Sequence, residues 1–125
     1  MDKIHFIPLK FSIAVVSDSR NESTDKSGIV LEKKIIESGH SLLKKKFIKD
    51  DKEEIESFFS ENINNKEVNV IISTGGTGLT GRDSTPEVLK KIIDKEIPGF
   101  GELFRMISYQ KIGTSAIQSR ALGGI

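Results

Sequence analysis

No cysteine occurs among the 125 residues, so neither a disulfide framework nor a thiolate nucleophile is available. With only His5 and His40 as histidines, a zinc site of the usual kind is excluded as well. No apolar stretch approaches the ~20 residues that a membrane span needs, and the opening MDKIHFIPLK lacks a signal-peptide core. The formal net charge is only +1, with both signs well mixed, which argues against a nucleic-acid or other polyanionic partner. The one dense basic spot, Lys44-Lys45-Lys46, has no aromatic residues interleaved, and it reads as a solvated strand rather than a binding patch. A cytoplasmic protein of one domain is expected, long enough to bury roughly 65% of its unfolded surface.

The most informative stretch present is VNVIISTGGTGLTGRDST, from Val68 to Thr85. Val68, Val70, Ile71 and Ile72 form a short β-branched run, the pattern of a strand buried on both faces. It breaks into Gly75-Gly76-Thr77-Gly78, a turn nearly free of side chains. Backbone N–H groups in such a turn can close around an anion, because glycine permits positive φ and close approach by phosphate; a purely structural glycine turn is the alternative. Arg82 and Asp83 follow at its mouth, and a helix start comes at once. The three spaced glycines Gly76, Gly78 and Gly81 also satisfy a dinucleotide-binding pattern. That fingerprint normally follows the first strand and opens a helix directly, and here it does neither. A P-loop is excluded because no Gly-Lys-Ser/Thr ends the turn.

Along the chain, residues 1–10 form a lead-in and residues 11–125 the domain. Phe11 to Val16 is the first strand, ending in the polar cluster Ser17-Asp18-Ser19-Arg20-Asn21. A helix is expected from Lys26 to Ser38, with Ile29, Val30, Ile35 and Ile36 as its stripe, Asp25 or Ser27 as N-cap and Gly39 as the C′ residue. Leu42 to Ile48 is a second strand with outward lysines. A second helix spans Glu53 to Asn62, with Ile55, Phe58, Phe59 and Ile63 lining one face. The third helix opens at Thr85-Pro86-Glu87, where Ser84 and Glu87 have capping-box spacing and Pro86 suits the first turn. Pro98-Gly99 starts a fourth helical stretch through Phe100, Leu103, Phe104 and Ile107.

Strand–helix alternation repeated three times calls for an α/β fold, a mostly parallel sheet between helical layers. Parallel strands put their C-terminal ends on one rim, where ligands of open α/β sheets sit. Ser17-Asp18, Asp50 and the glycine loop all follow such ends and should therefore converge. Asp18, Asp50 and Asp83 each also have a local reading as turn or helix caps. Two carboxylates beside an anion-cradling loop fit Mg²⁺, which takes one or two carboxylates and completes its shell with substrate phosphates and water.

Further matching stretches are Val15-Val16-Ser17-Asp18, Asp25-Lys26-Ser27-Gly28, Thr74-Gly75-Gly76-Thr77-Gly78, Arg82-Asp83-Ser84-Thr85-Pro86-Glu87, Pro98-Gly99-Phe100-Gly101-Glu102, Gly113-Thr114-Ser115 and Gln118-Ser119-Arg120-Ala121. On these the chain resembles the MoaB/MogA family of molybdenum cofactor biosynthesis proteins, from about residue 11 onward and closer to the MoaB side. The resemblance implies a three-layer α/β domain that assembles into a trimer or hexamer. It implies molybdopterin as substrate, ATP as co-substrate and Mg²⁺ as cofactor, giving adenylyl-molybdopterin and pyrophosphate. The family's two activity-linked carboxylates match Asp50 and Asp83, which are the expected catalytic and metal-holding residues. The expected substrate-binding residues are Ser17, Asp18, Thr74, Gly75, Gly76, Thr77, Gly78, Ser119 and Arg120. Family members continue with a further strand, a Pro-Gly-Ser/Asn-Pro loop and a C-terminal helix, so a domain shortened at its C-terminus is expected. A non-catalytic molybdopterin-binding or scaffold protein shares every one of these features. A dinucleotide-dependent oxidoreductase needs an acid about 20 residues after the glycines, and Asp94 and Glu96 come too early.

Overall fold

The computed structural model describes residues 5–19, 24–79 and 82–125. Its sheet is parallel throughout, in the order β2-β1-β3, with β1 at Lys10–Val16, β2 at Ser41–Ile48 and β3 at Val70–Thr74. The central strand is the most apolar segment of the chain, and Ile13, Ala14, Val15 and Val16 are all buried. Their alternation divides two cores, as the period of two in a strand requires. Ala14 and Val16 pack with Ile55, Phe58 and Phe59 of α2 (Lys52–Ile63) and Val88 of α3 (Thr85–Ile92). Ile13 and Val15 pack on the opposite face with Ile35 of α1 (Ser27–Glu37). The result is the three-layer α/β arrangement expected from the alternation of elements.

The β1–β2 ladder carries one register shift. Phe11 pairs with Leu42, but Ser12 pairs with Lys44, so Leu43 is passed over. Leu42 and Phe47, an odd number of positions apart, consequently both join the core on the α1 side. Beyond the shift the lysines alternate in the ordinary way, and the shift sets which of them faces α1. Lys45 turns toward α1, its Nζ 2.8 Å from Asp25 Oδ2 and 3.4 Å from Glu32 Oε2, while Lys44 pairs with Glu61 of α2 at 2.9 Å. The Lys45 side chain is only 17% exposed and that of Asp25 1%, which corrects the reading of all three lysines as outward and solvated. The Asp25 hydrogen bond holds the Lys45 ammonium above its ordinary pKa despite its partial burial.

Other expectations also change. Ile29, Val30 and Ile36 are exposed, so α1 buries a narrower stripe than its apolar residues suggested, and Ile63 is exposed while Asn62 is buried. Asn62 is accommodated because its Nδ2 donates to the Phe58 carbonyl at 2.8 Å. β3 is half-buried rather than buried on both faces, since it stands at the edge of the sheet. Asp25 does cap α1, accepting from Gly28 N–H at 2.8 Å, and Gly39 has the positive φ of a C′ residue, +88°. Helix α4 (Pro98–Ile112) packs chiefly on the 3-10 turn Gly113–Gln118 that follows it. The chain then returns to pair with the segment after α3: Ile125 N–H donates to Lys95 O at 2.8 Å and Lys95 N–H donates back at 3.0 Å. No helix among the described residues is long and apolar enough to cross a membrane.

Candidate functional site

Val16 pairs with Ile48 and Val15 with Thr74, so the three strands end level. The residues just beyond them, Ser17-Asp18, Asp50 and the glycine loop, therefore meet on one rim, as expected. Gly75 and Gly76 both adopt positive φ, +94° and +65°. A Cβ on Gly75 would strike the Val16 carbonyl, and one on Gly76 would strike Thr85 Oγ1 and lie 2.9 Å from Val16 Cγ1. Glycine is required at both positions by conformation and by space.

The loop's carbonyls are tied down on one side. Gly75 O accepts from Thr85 Oγ1 at 3.2 Å, Gly76 O from Thr85 N–H at 3.1 Å, and Thr77 O from Arg120 Nε at 3.2 Å. In a trans peptide the next N–H points opposite to the carbonyl. The amides of Gly76, Thr77 and Gly78 consequently point away from these anchors, and among the described residues none has an acceptor. Three such donors on a glycine turn are the groups that an anion-binding concavity uses.

Both expected carboxylates flank this loop. An added Cβ on Gly78 would lie 2.6 Å from Asp83 Oδ2, and one on Gly76 3.3 Å from Asp50 Oδ2. Asp50 is not the cap of α2. Asp51 fills that role, accepting from Glu53 N–H at 2.8 Å. Asp50 reaches instead to the start of α3, where Oδ1 accepts from Ser84 N–H at 3.1 Å. The expected Ser84/Glu87 capping box is absent, because charged partners distant in sequence displace it. Asp50 takes the Ser84 amide, Arg120 takes Glu87, and Ser84 Oγ donates to Arg82 O at 3.0 Å. Burial pushes the Asp50 carboxyl above its ordinary pKa; the Ser84 amide opposes that shift, and the nearby Asp83 and Asp18 charges reinforce it.

Asp18 joins the site through Arg82. The guanidinium donates through Nη2 to Oδ1 at 2.6 Å and through Nε to Oδ2 at 3.1 Å, while Asp50 N–H donates to Asp18 Oδ1 at 3.2 Å. The Arg82 hydrogen bond holds the Asp18 carboxyl below its usual range. Ser17 continues β1, its N–H donating to Ile48 O at 2.9 Å. Gly81, Arg20 and Asn21 lie outside the described residues.

On the other side of the loop a cavity of about 670 Å³ opens between α1, the end of β3, α3 and the chain after α4. Thr74, Gly75, Thr77, Ser119 and Arg120 line it, whereas Ser17, Asp18, Gly76, Gly78, Asp50 and Asp83 do not. The expected site residues thus form two neighbouring groups, a carboxylate side and a cavity side, with the glycine loop as their shared wall. Its lining includes the apolar side chains of Leu31, Leu89 and Phe104 and the cations Lys26 and Lys111. The residue-by-residue reading missed Lys26, Lys111 and Phe104. Their available signals were a lysine at a helix start and the seven-residue spacing of Phe104 and Lys111, which puts both on one helix face.

Among the described residues no group of three or more His, Cys, Asp or Glu side chains is disposed to hold a metal. The donor set is nevertheless suited to Mg²⁺ held jointly with phosphate oxygens, since Asp50 and Asp83 repel each other and a cation relieves that repulsion.

Residues 12–125 match the family described as a probable molybdopterin binding domain. Over 117 residues the chain is 47% identical to molybdenum cofactor biosynthesis protein B of Bacillus cereus, covering 93% of this chain and 69% of that protein. A probable molybdopterin adenylyltransferase of Methanocaldococcus jannaschii is 40% identical over 126 residues, covering 94% of this chain and 73% of that protein. A crystal structure of molybdenum cofactor biosynthesis protein B is similar with a TM-score of 0.90 at 46% identity, over 95% of this chain and 74% of that one. Sequence and fold agree: this chain belongs to the MoaB/MogA family of molybdenum cofactor biosynthesis proteins, on the MoaB side.

Proposed function

We propose that the protein adenylylates molybdopterin. A phosphate oxygen of molybdopterin attacks the α-phosphorus of ATP, the bond from that phosphorus to the bridging oxygen breaks, and pyrophosphate leaves. Reactions of this type depend on positioning and charge neutralisation more than on covalent help. The observation that carries the reading is the row of outward amides at Gly76, Thr77 and Gly78 between two carboxylates and a cavity. The amides hold nucleotide phosphates, and the cavity, with apolar lining side chains for a flat ring and lysines for a phosphate, takes molybdopterin. Asp83, assisted by Asp50, would hold Mg²⁺, which would supply neutralisation of charge on the phosphate oxygens. Asp18 keeps Arg82 at the loop mouth.

Exposed apolar residues along α4, including Phe100, Leu103, Met106 and Ile107, favour a homo-oligomer, a trimer or hexamer, and the use of ATP fits a cytoplasmic setting. The test is incubation of the protein with ATP, Mg²⁺ and molybdopterin, followed by assay of adenylylated product and pyrophosphate. Binding of molybdopterin without Mg²⁺-dependent pyrophosphate release would instead identify a non-catalytic binding or scaffold protein.

A further inference from the structure

The end of the described chain reaches the glycine loop through one side chain. Arg120 donates from Nε to Thr77 O at 3.2 Å and from Nη2 to Asp83 O at 2.8 Å and to Glu87 Oε2 at 3.3 Å, and its Nη1 bonds Glu87 Oε1. A guanidinium has five N–H donors, so at most one remains for a ligand. The Arg120 side chain is only 27% exposed, and its hydrogen bond holds the Glu87 carboxyl below its usual range. A second arginine steadies the backbone on either side of it: Arg105 Nη1 donates to Ser119 O at 3.5 Å and to Ala121 O at 3.3 Å.

We propose that Arg120 is a positioning residue which sets the spacing between the glycine loop and Asp83, gripping both backbones while Glu87 of α3 holds its own orientation. The proposal deepens the adenylyltransferase reading, since its effect on turnover rests on that reading. Thr77 O and Asp83 O are the backbone handles of the phosphate-binding turn and of a metal-holding carboxylate. One planar group bonded to both fixes their separation in a way a lysine, with one point charge, cannot reproduce. Because Arg120 also lines the cavity, it lies on the boundary between the two halves of the site. It therefore acts through its neighbours, with little donor capacity left to bind an anion itself.

The test combines amide hydrogen exchange with steady-state kinetics on the R120A, R120K and E87Q variants. In R120A the loop-anchoring amides of Ser84 and Thr85, bonded to Asp50 Oδ1 and to Gly76 O, should exchange about ten-fold faster or more, with those of Ile13 to Val16 unchanged. The kcat should fall by about ten-fold or more, with the KM for ATP within roughly two-fold. Millimolar guanidinium ion, but not ammonium, should restore both loop protection and kcat, and R120K should restore neither. A purely structural role would not give selective rescue by guanidinium. Turnover lost in R120A with loop exchange unchanged would make Arg120 a ligand contact and overturn the proposal, as would unchanged exchange with unchanged turnover. If R120A loses protection in β1 as well, E87Q decides, and unchanged loop exchange in E87Q would equally overturn it. If the wild-type protein shows no adenylylation, the proposed function fails while the exchange and its guanidinium rescue still decide the role of Arg120.

Discussion

Asp18 and Arg82, 64 positions apart, meet in a forked ion pair whose carboxylate also receives the backbone N–H of Asp50. The pair closes the loop after β1 against the loop after β3, and its negative member is one of the charges raising the Asp50 pKa. Asp18→Asn removes that charge and should move the acid limb of the pH–rate profile to lower pH. The melting temperature should change by no more than about 2 °C, because the pair is exposed and screened. A profile that stays in place would remove Asp18 from the electrostatics of the site.

Asp50→Asn keeps an oxygen for the Ser84 amide and removes a buried charge. The Asp50 pKa is raised in the fold, so its contribution to stability is full below the unfolded carboxylate pKa and is lost as pH rises through the folded value. The variant should therefore melt roughly 3 °C higher than wild type near pH 7, a gap that closes toward pH 4. Turnover should fall about 100-fold. Melting curves between pH 4 and pH 7, paired with a pyrophosphate assay, check both signs.

Asp83→Asn leaves the backbone carbonyl that Arg120 uses. Turnover should drop by about 1,000-fold or more while the melting temperature stays within about 3 °C. Early melting with full turnover in the folded fraction would restore the helix-capping reading of this residue.

Gly75→Ala places a methyl group against the Val16 carbonyl at a φ of +94°. The expected cost is about 3 kcal/mol from clash and strain together, measured by denaturant unfolding.

Lys45→Met removes the cation facing Asp25, whose side chain is 1% exposed. A nearly buried carboxylate without its ammonium should lower stability by about 3 kcal/mol. A solvated lysine, as the run Lys44-Lys45-Lys46 suggested, would change almost nothing.

The elements were legible because the signals that mark them are local. Phe11 to Val16, the stripe Ile55, Phe58 and Phe59, and Pro86 at a helix start each carry their own pattern, and parallel topology follows from their alternation. Convergence of Asp18, Asp50 and the glycine loop was legible for the same reason, since strand ends share a rim. Partner choice was not legible. Ser84 and Glu87 have capping-box spacing, yet Asp50 and Arg120, 34 and 33 positions away, take their groups. The Arg120 guanidinium outcompetes the neutral Ser84 amide for the Glu87 carboxylate, which leaves that amide to Asp50, and no short window of sequence contains either partner. Sidedness also escaped, because a helical stripe such as Ile29, Val30, Ile35 and Ile36 says which residues align, and the packing alone decides which are covered.

Leu43 is the surplus residue of its strand, and the chemistry downstream of it depends on where that surplus is absorbed. Excising Leu43 would leave Lys45 and Phe47 opposite Ile13 and Val15 as they are now. Adding one residue between Leu43 and Lys45 without a second skip would rotate the strand by half a turn, pointing Phe47 at α2 and taking from Asp25 its counter-ion. The strand tolerates a shorter message better than a longer one.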